Sequence, residues 1–89
     1  MSLLFIGIDP DTGDEESPTV WIDTAQREFL FQGWLPSEEQ EADCAAFTLP
    51  GHAAGIPDGE AVIRIPARMV GMIRKACDAI EALDAANVR

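Results

Sequence analysis

From Pro66 onward, Met69, Val70, Ile73, Ala76, Cys77, Ile80 and Leu83 recur at the three- and four-residue spacing of an α-helix. At 100° per residue they fall on one arc of about 140°, and Pro66, whose fixed φ suits a first helical turn, marks the start. A helix with a single apolar stripe is stable only where something covers the stripe, so the preceding chain must supply a matching surface. On this reading Cys77 belongs to the core.

That surface is expected to be a sheet. Leu3, Leu4, Phe5, Ile6 and Ile8 form an apolar run closed by Asp9-Pro10-Asp11-Thr12-Gly13, which reads as an interior strand covered on both faces, then a turn. Thr19-Val20-Trp21-Ile22-Asp23 alternates like a second strand, and Thr24 to Arg27 connects it to a third over Glu28 to Trp34, pairing as a hairpin. In that third strand Phe29 and Phe31 point one way, Leu30 and Trp34 the other. Ser37 stands three residues before Gln40 in a capping-box arrangement, predicting a short helix over 38–47 with Glu38, Glu39 and Glu41 at its positive end. Glycines and prolines interrupt 50–59, where Pro57-Asp58-Gly59 reads as a tight turn, and Ala61 to Ile65 reads as a last strand. The expected fold is therefore α+β: a small, mainly antiparallel sheet of about four strands packed by the C-terminal amphipathic helix, with a short middle helix. At 89 residues the chain has room for one core, so a single domain over 1–89 is expected.

Charge constrains partners more than fold. Residues 1–60 hold 13 acidic side chains and one basic one, Arg27, whereas 61–89 hold three acids and five bases, giving −12 against +2. Such a field repels nucleic-acid phosphate and anionic lipid and attracts basic protein surfaces. No apolar run approaches the roughly 18 residues that span a bilayer, and Leu3–Ile8 is too short and lacks the basic leader of a signal peptide. With only Cys44 and Cys77 as thiols, a cytoplasmic protein with reduced cysteines is expected. Along the C-terminal helix Arg68, Arg74 and Lys75 come early and Asp78, Glu81 and Asp84 late, against the helix macrodipole. Either the early bases neutralise acidic loops of the same chain, or that order serves a partner.

No constellation reads as catalytic. Asp9, Asp11, Asp14, Glu15 and Glu16 supply the oxygen ligands calcium or magnesium takes, but a calcium loop needs glycine where Asp14 stands and a bidentate glutamate where Val20 stands. Cys44 and His52 form a conceivable thiol–imidazole pair, yet Glu38, Glu39, Glu41 and Asp43 would disfavour the thiolate. Cys44, beside Ala45, Ala46 and Phe47, reads as core, and His52 as a loop residue. Trp21 and Trp34 are core side chains first and interface anchors second. A sheet with one helix on it leaves its second face open, which would make a dimer or partner surface.

The strings Phe5 to Asp11, Ser17 to Trp21, Leu30 to Trp34 and Glu60 to Met69 together resemble a group of short, acidic, uncharacterised actinobacterial proteins. Members of that group often stand beside Xre-type helix-turn-helix regulators, so the resemblance implies an accessory or regulatory role without assigned chemistry. The expected function is a non-enzymatic protein-interaction or regulatory module whose acidic surface meets a basic partner such as a DNA-binding regulator, with a duplex-mimicking inhibitor as its strongest form. No cofactor, metal or direct nucleic-acid contact is expected, and a homodimer would form through the uncovered sheet face. Its expected contact residues are Trp21, Trp34, Glu38, Glu39, Glu41 and Arg68. The alternative is a small ligand- or divalent-metal-binding domain using the Asp9 to Glu16 loop, with Arg64 or Arg68 as anion contacts.

Overall fold

The computed structural model describes residues 2–13 and 16–87, without the side chains of 86 and 87. Three strands, β1 (Leu3–Ile8), β2 (Thr19–Asp23) and β3 (Glu28–Gln32), precede helix α1 (Glu38–Ala46), a 3₁₀ turn (Ala67–Met69) and helix α2 (Val70–Asn87). The fold is α+β, and the chain groups into two compact units, Met1–Gly33 with Ile65–Arg89, and Trp34–Arg64.

In the first unit the strands form an antiparallel meander in the order β1-β2-β3. The expected second strand and hairpin are present. The hairpin closes through Asp23, whose Oδ1 accepts from the amides of Ala25 and Gln26 at 3.0 and 2.9 Å while its carbonyl accepts from Arg27 at 2.8 Å. Arg27 completes the turn at φ 58°, a left-handed conformation that costs a non-glycine residue about 1 kcal/mol. Its guanidinium forms an ion pair with Asp84 of α2, which ties the turn to the helix.

Cross-strand partners share a face, so the register sorts every side chain of the sheet. Leu4, Ile22 and Phe29 make one row of the inner face, and Gly7, Val20 and Phe31 the next. Helix α2 packs on that face over β2 and β1, and Val20, Ile22, Met69 and Ala76 are its fully buried core, flanked by Ile6, Ile65, Met72, Ala79, Ile80 and Leu83. Beyond the reach of α2, the stacked rings of Phe29 and Phe31 stay exposed, with centroids 6.2 Å apart.

The buried stripe of α2 is turned by roughly 50° from the expected arc, taking 100° per residue. Met72 and Ala79 enter it; Val70 and Cys77 leave it and are exposed. The cause lies on β1. A Cβ on Gly7 would meet the Met72 sulfur at 2.8 Å, so the missing side chain is the slot that Met72 fills. Beside it, Ile6 is an extra residue between the Phe5–Trp21 and Gly7–Val20 pairs.

Two expectations for the strands are corrected. β1 is an edge strand, not an interior one, and Leu3, Leu4, Phe5 and Ile8 are each 44–57% exposed, because this unit contains one covering helix. The expected fourth strand at Ala61–Ile65 is reduced to a single antiparallel bridge between Trp34 and Arg64, and the third strand ends at Gln32. Val62 and Ile63 therefore join no sheet, and Trp34 lies outside β3.

The second unit is closed by that bridge, with amide-to-carbonyl bonds of 2.8 and 2.9 Å in both directions. Helix α1 has the expected capping box: Ser37 Oγ accepts from the Gln40 amide at 3.1 Å, and Gln40 Oε1 accepts from the Ser37 amide at 2.8 Å. The Pro57-Asp58-Gly59 turn is also present, closed by a 3.0 Å bond from the Glu60 amide to the Pro57 carbonyl, with Gly59 at φ 90°. No residue between 34 and 64 is fully buried, so Cys44 is exposed rather than core.

Candidate functional site

Four places in the molecule hold the residues singled out by the sequence. The first is the outer sheet face. Its rows are Leu3-Asp23-Glu28, Phe5-Trp21-Leu30 and Ile8-Thr19-Gln32, so an apolar middle row is bordered by two carboxylates on one side and polar groups on the other. Phe5 is 57% exposed and Leu30 40%, while Trp21 between them is half-buried. An aromatic anchor inside an apolar patch with a polar rim is the usual anatomy of a protein interface. Trp21, expected as a contact residue, stands in this row. The exposure of Phe5 and Leu30 beside it was not legible in the sequence, because an apolar run looks the same in a covered strand and in an exposed edge.

The second place is the end of β1, where Asp9 is buried although charged. Arg68, in the 3₁₀ turn before α2, reaches it with Nε on Oδ1 at 2.7 Å and Nη2 on Oδ2 at 2.6 Å, a bidentate pair, and Asp11 lies 3.6 Å from the same guanidinium. The Asp11 amide also donates to Oδ1 at 3.2 Å, and the Thr12 hydroxyl donates to the Asp9 carbonyl at 3.1 Å. The hydrogen bonds from Arg68 hold the Asp9 carboxyl below its ordinary value against the opposing effect of burial, and Asp9 in turn raises Arg68. Arg68 is thus engaged inside its own unit, and Asp9 is no longer a free ligand in the acidic loop. Asp14 and Glu15 of that loop lie outside the described residues, and among the described residues no group of three metal-ligating side chains converges.

The Asp9–Arg68 and Arg27–Asp84 pairs also account for part of the reversed charge order around α2. An early base neutralises an acidic loop, and a late acid answers a base in the hairpin turn. Arg74 and Lys75 make no ion pair among the described residues.

The third place is α1 with its approach, within the second unit. Glu38, Glu39 and Glu41 occupy the first turn, exposed, where they complement the positive end of the helix dipole. No cation pairs with them among the described residues. Trp34 is half-buried, and the Arg64 guanidinium lies over its ring at 5.0 Å from the centroid while Nε donates to the Leu35 carbonyl at 2.9 Å. Both Arg64 and Arg68, expected as anion contacts, therefore have internal partners. The Trp34 indole Nε1 is buried without a hydrogen-bond partner among the described residues.

The fourth place is a shallow hollow of the second unit, about 270 Å³, where Cys44, His52 and Glu60 border Phe47, Leu49 and Ile56. The structure thus brings Cys44 and His52 to one opening. Neither Cys44 nor the acidic turn of α1 has a cation paired with it among the described residues. Among the described residues no helix is long and apolar enough to cross a membrane. Comparisons with protein-family models, with curated proteins and with solved structures found no match to this chain.

Proposed function

We propose that this protein is a non-enzymatic interaction module that docks an acidic surface onto a basic protein partner, a DNA-binding regulator in the most specific form of the reading. The supporting observation is which charges are left free. Arg27, Arg64 and Arg68 are occupied by Asp84, by Trp34 with the Leu35 carbonyl, and by Asp9. Glu16, Glu28, Glu38, Glu39, Glu41, Asp43, Asp58 and Glu60 are exposed and make no ion pair among the described residues. Each ion pair takes up one charge of either sign, so the net charge of −10 stands, and these eight exposed carboxylates outnumber Arg64, Arg74 and Lys75, the cations without an ion pair among the described residues. Trp21 with Phe5 and Leu30 provides an apolar anchor, and Trp34 and the first turn of α1 a second contact region. The implied resemblance to proteins that stand beside helix-turn-helix regulators points to the same class of partner.

The test is capture from host lysate on immobilised protein, washed at low and at high salt and challenged with duplex DNA. A DNA-binding protein held at low salt, released at high salt and displaced by DNA is expected, and the E38Q/E39Q/E41Q variant should lose most of the capture. Retention that is indifferent to salt and to those three substitutions would remove the electrostatic basis of the reading.

A further inference from the structure

We propose that β1 is a self-association edge, through which two copies of this protein join their sheets into one of six antiparallel strands. β1 lies at the border of the sheet, and the backbone bonds at its two ends run to one side only: the Thr24 amide donates to the Ser2 carbonyl at 2.8 Å and the Asp9 amide to the Pro18 carbonyl at 2.9 Å. Among the described residues no segment outside β2 hydrogen-bonds to β1. An edge strand directs alternate N–H and C=O groups outward, and those groups are satisfied by another extended strand. Natural edges are guarded by charge, proline or a bulge, and Leu3–Phe5, ahead of the bulge at Ile6, contains none of these. The other edge, β3, begins with the exposed carboxylate of Glu28.

Charge selects the occupant. Two copies at −10 each repel, so they can approach closely only where no carboxylates face one another. Among the described residues β1 is the one strand free of ionisable side chains, and the acid that follows it, Asp9, is buried and neutralised by Arg68. A basic partner would gain no ion pair from the backbone edge of that stretch, whereas a second β1 matches it apolar for apolar. The Ile6 bulge interrupts the ladder after Phe5, leaving Ser2–Phe5 regular, so the two-fold axis falls near Leu4. In that register Leu4, 46% exposed, meets its own copy on the inner face, and Phe5 meets Leu3 of the other chain on the outer face.

This proposal shares Phe5 with the acidic docking reading, but its salt dependence has the opposite sign, which keeps the two distinguishable. Sedimentation equilibrium from about 5 to about 500 µM should show a mass rising from 9.6 kDa toward twice that value, as expected of a small interface. The dimer should tighten at high salt, which screens the repulsion. Phe5→Lys is expected to weaken it at least about tenfold, a change of about 1.4 kcal/mol. Should that variant unfold, Leu4→Cys with Cys44 and Cys77 replaced by serine gives an independent readout, an intermolecular disulfide under mild oxidation. A monomer at all concentrations and salts overturns the proposal. So does a dimer that weakens with salt, one indifferent to Phe5→Lys, or an absent cross-link in an otherwise dimeric Leu4→Cys protein.

Discussion

The two units are held by different physics. The sheet with α2 is built on burial between residues far apart in sequence: Val20 and Ile22 cluster with Met69 and Ala76 from the other end of the chain, and all four are removed from water entirely. The segment Trp34–Arg64 has no fully buried residue and relies on local or end-to-end devices: a capping box, left-handed glycines at 51, 55 and 59, and one backbone bridge over which Arg64 covers Trp34. Burial of apolar area is the dominant source of stability, while each capping or turn interaction contributes about 1 kcal/mol or less. The first unit should therefore set the global stability, about 4 to 13 kcal/mol for a chain of this length, and the second should open at lower free energy.

The sharpest way to break that contrast is to open a cavity under α2. Ile22→Ala should cost about 3 kcal/mol, read as a lower urea midpoint with the slope unchanged. A loss under about 1 kcal/mol would mean that the buried cluster is not the main anchor.

Next comes the ion pair beneath the end of β1. The Asp9 carboxyl titrates below its ordinary value of 3.8 in the folded chain and at that value when unfolded. The resulting stability is present above the ordinary value and is lost as the pH falls from there through the lowered one. Arg68→Gln should destabilise the protein at neutral pH and flatten this acid limb. Denaturation midpoints near pH 7 and pH 3 check it, and an unchanged slope for the variant would assign the acid sensitivity to other carboxylates.

The smallest effect sharpens the comparison most. Ser37→Ala removes the cap of α1 and should cost that helix about 1 kcal/mol. Amide exchange over Glu38–Ala46 should accelerate several-fold, while the global urea midpoint barely moves. Equal shifts in both would show that the two units unfold together.

Features governed by neighbouring residues are legible in the sequence alone. The capping box at Ser37, the hairpin from Thr19 to Gln32, the Pro57-Asp58-Gly59 turn and the existence of α2 each depend on a few adjacent residues whose stereochemistry permits little else. The same local signals do not reveal what covers what. Leu3–Ile8 reads as an interior strand because period and composition cannot distinguish a covered face from an exposed one, and Ala61–Ile65 reads as a strand although only Arg64 finds a backbone partner. Of the expected contact residues, Trp21 and the three glutamates of α1 are placed where a partner could reach them, and Trp34 is half-buried under Arg64. Arg68 is engaged by Asp9, a pairing across 59 positions that no spacing rule anticipates.

By itself, then, the sequence determined the existence of β2, β3, α1 and α2, the cap and the turns, the acidic balance and the apolar stripe that makes α2 amphipathic, because each follows from side-chain chemistry within a turn or two of backbone. Tertiary structure alone decided the rotation of that stripe, through Met72 filling the space above Gly7, and which cations stay free. It also left β1 at an open edge. Those outcomes depend on packing and charge pairing between distant segments, where the energy belongs to the contact and not to either segment alone.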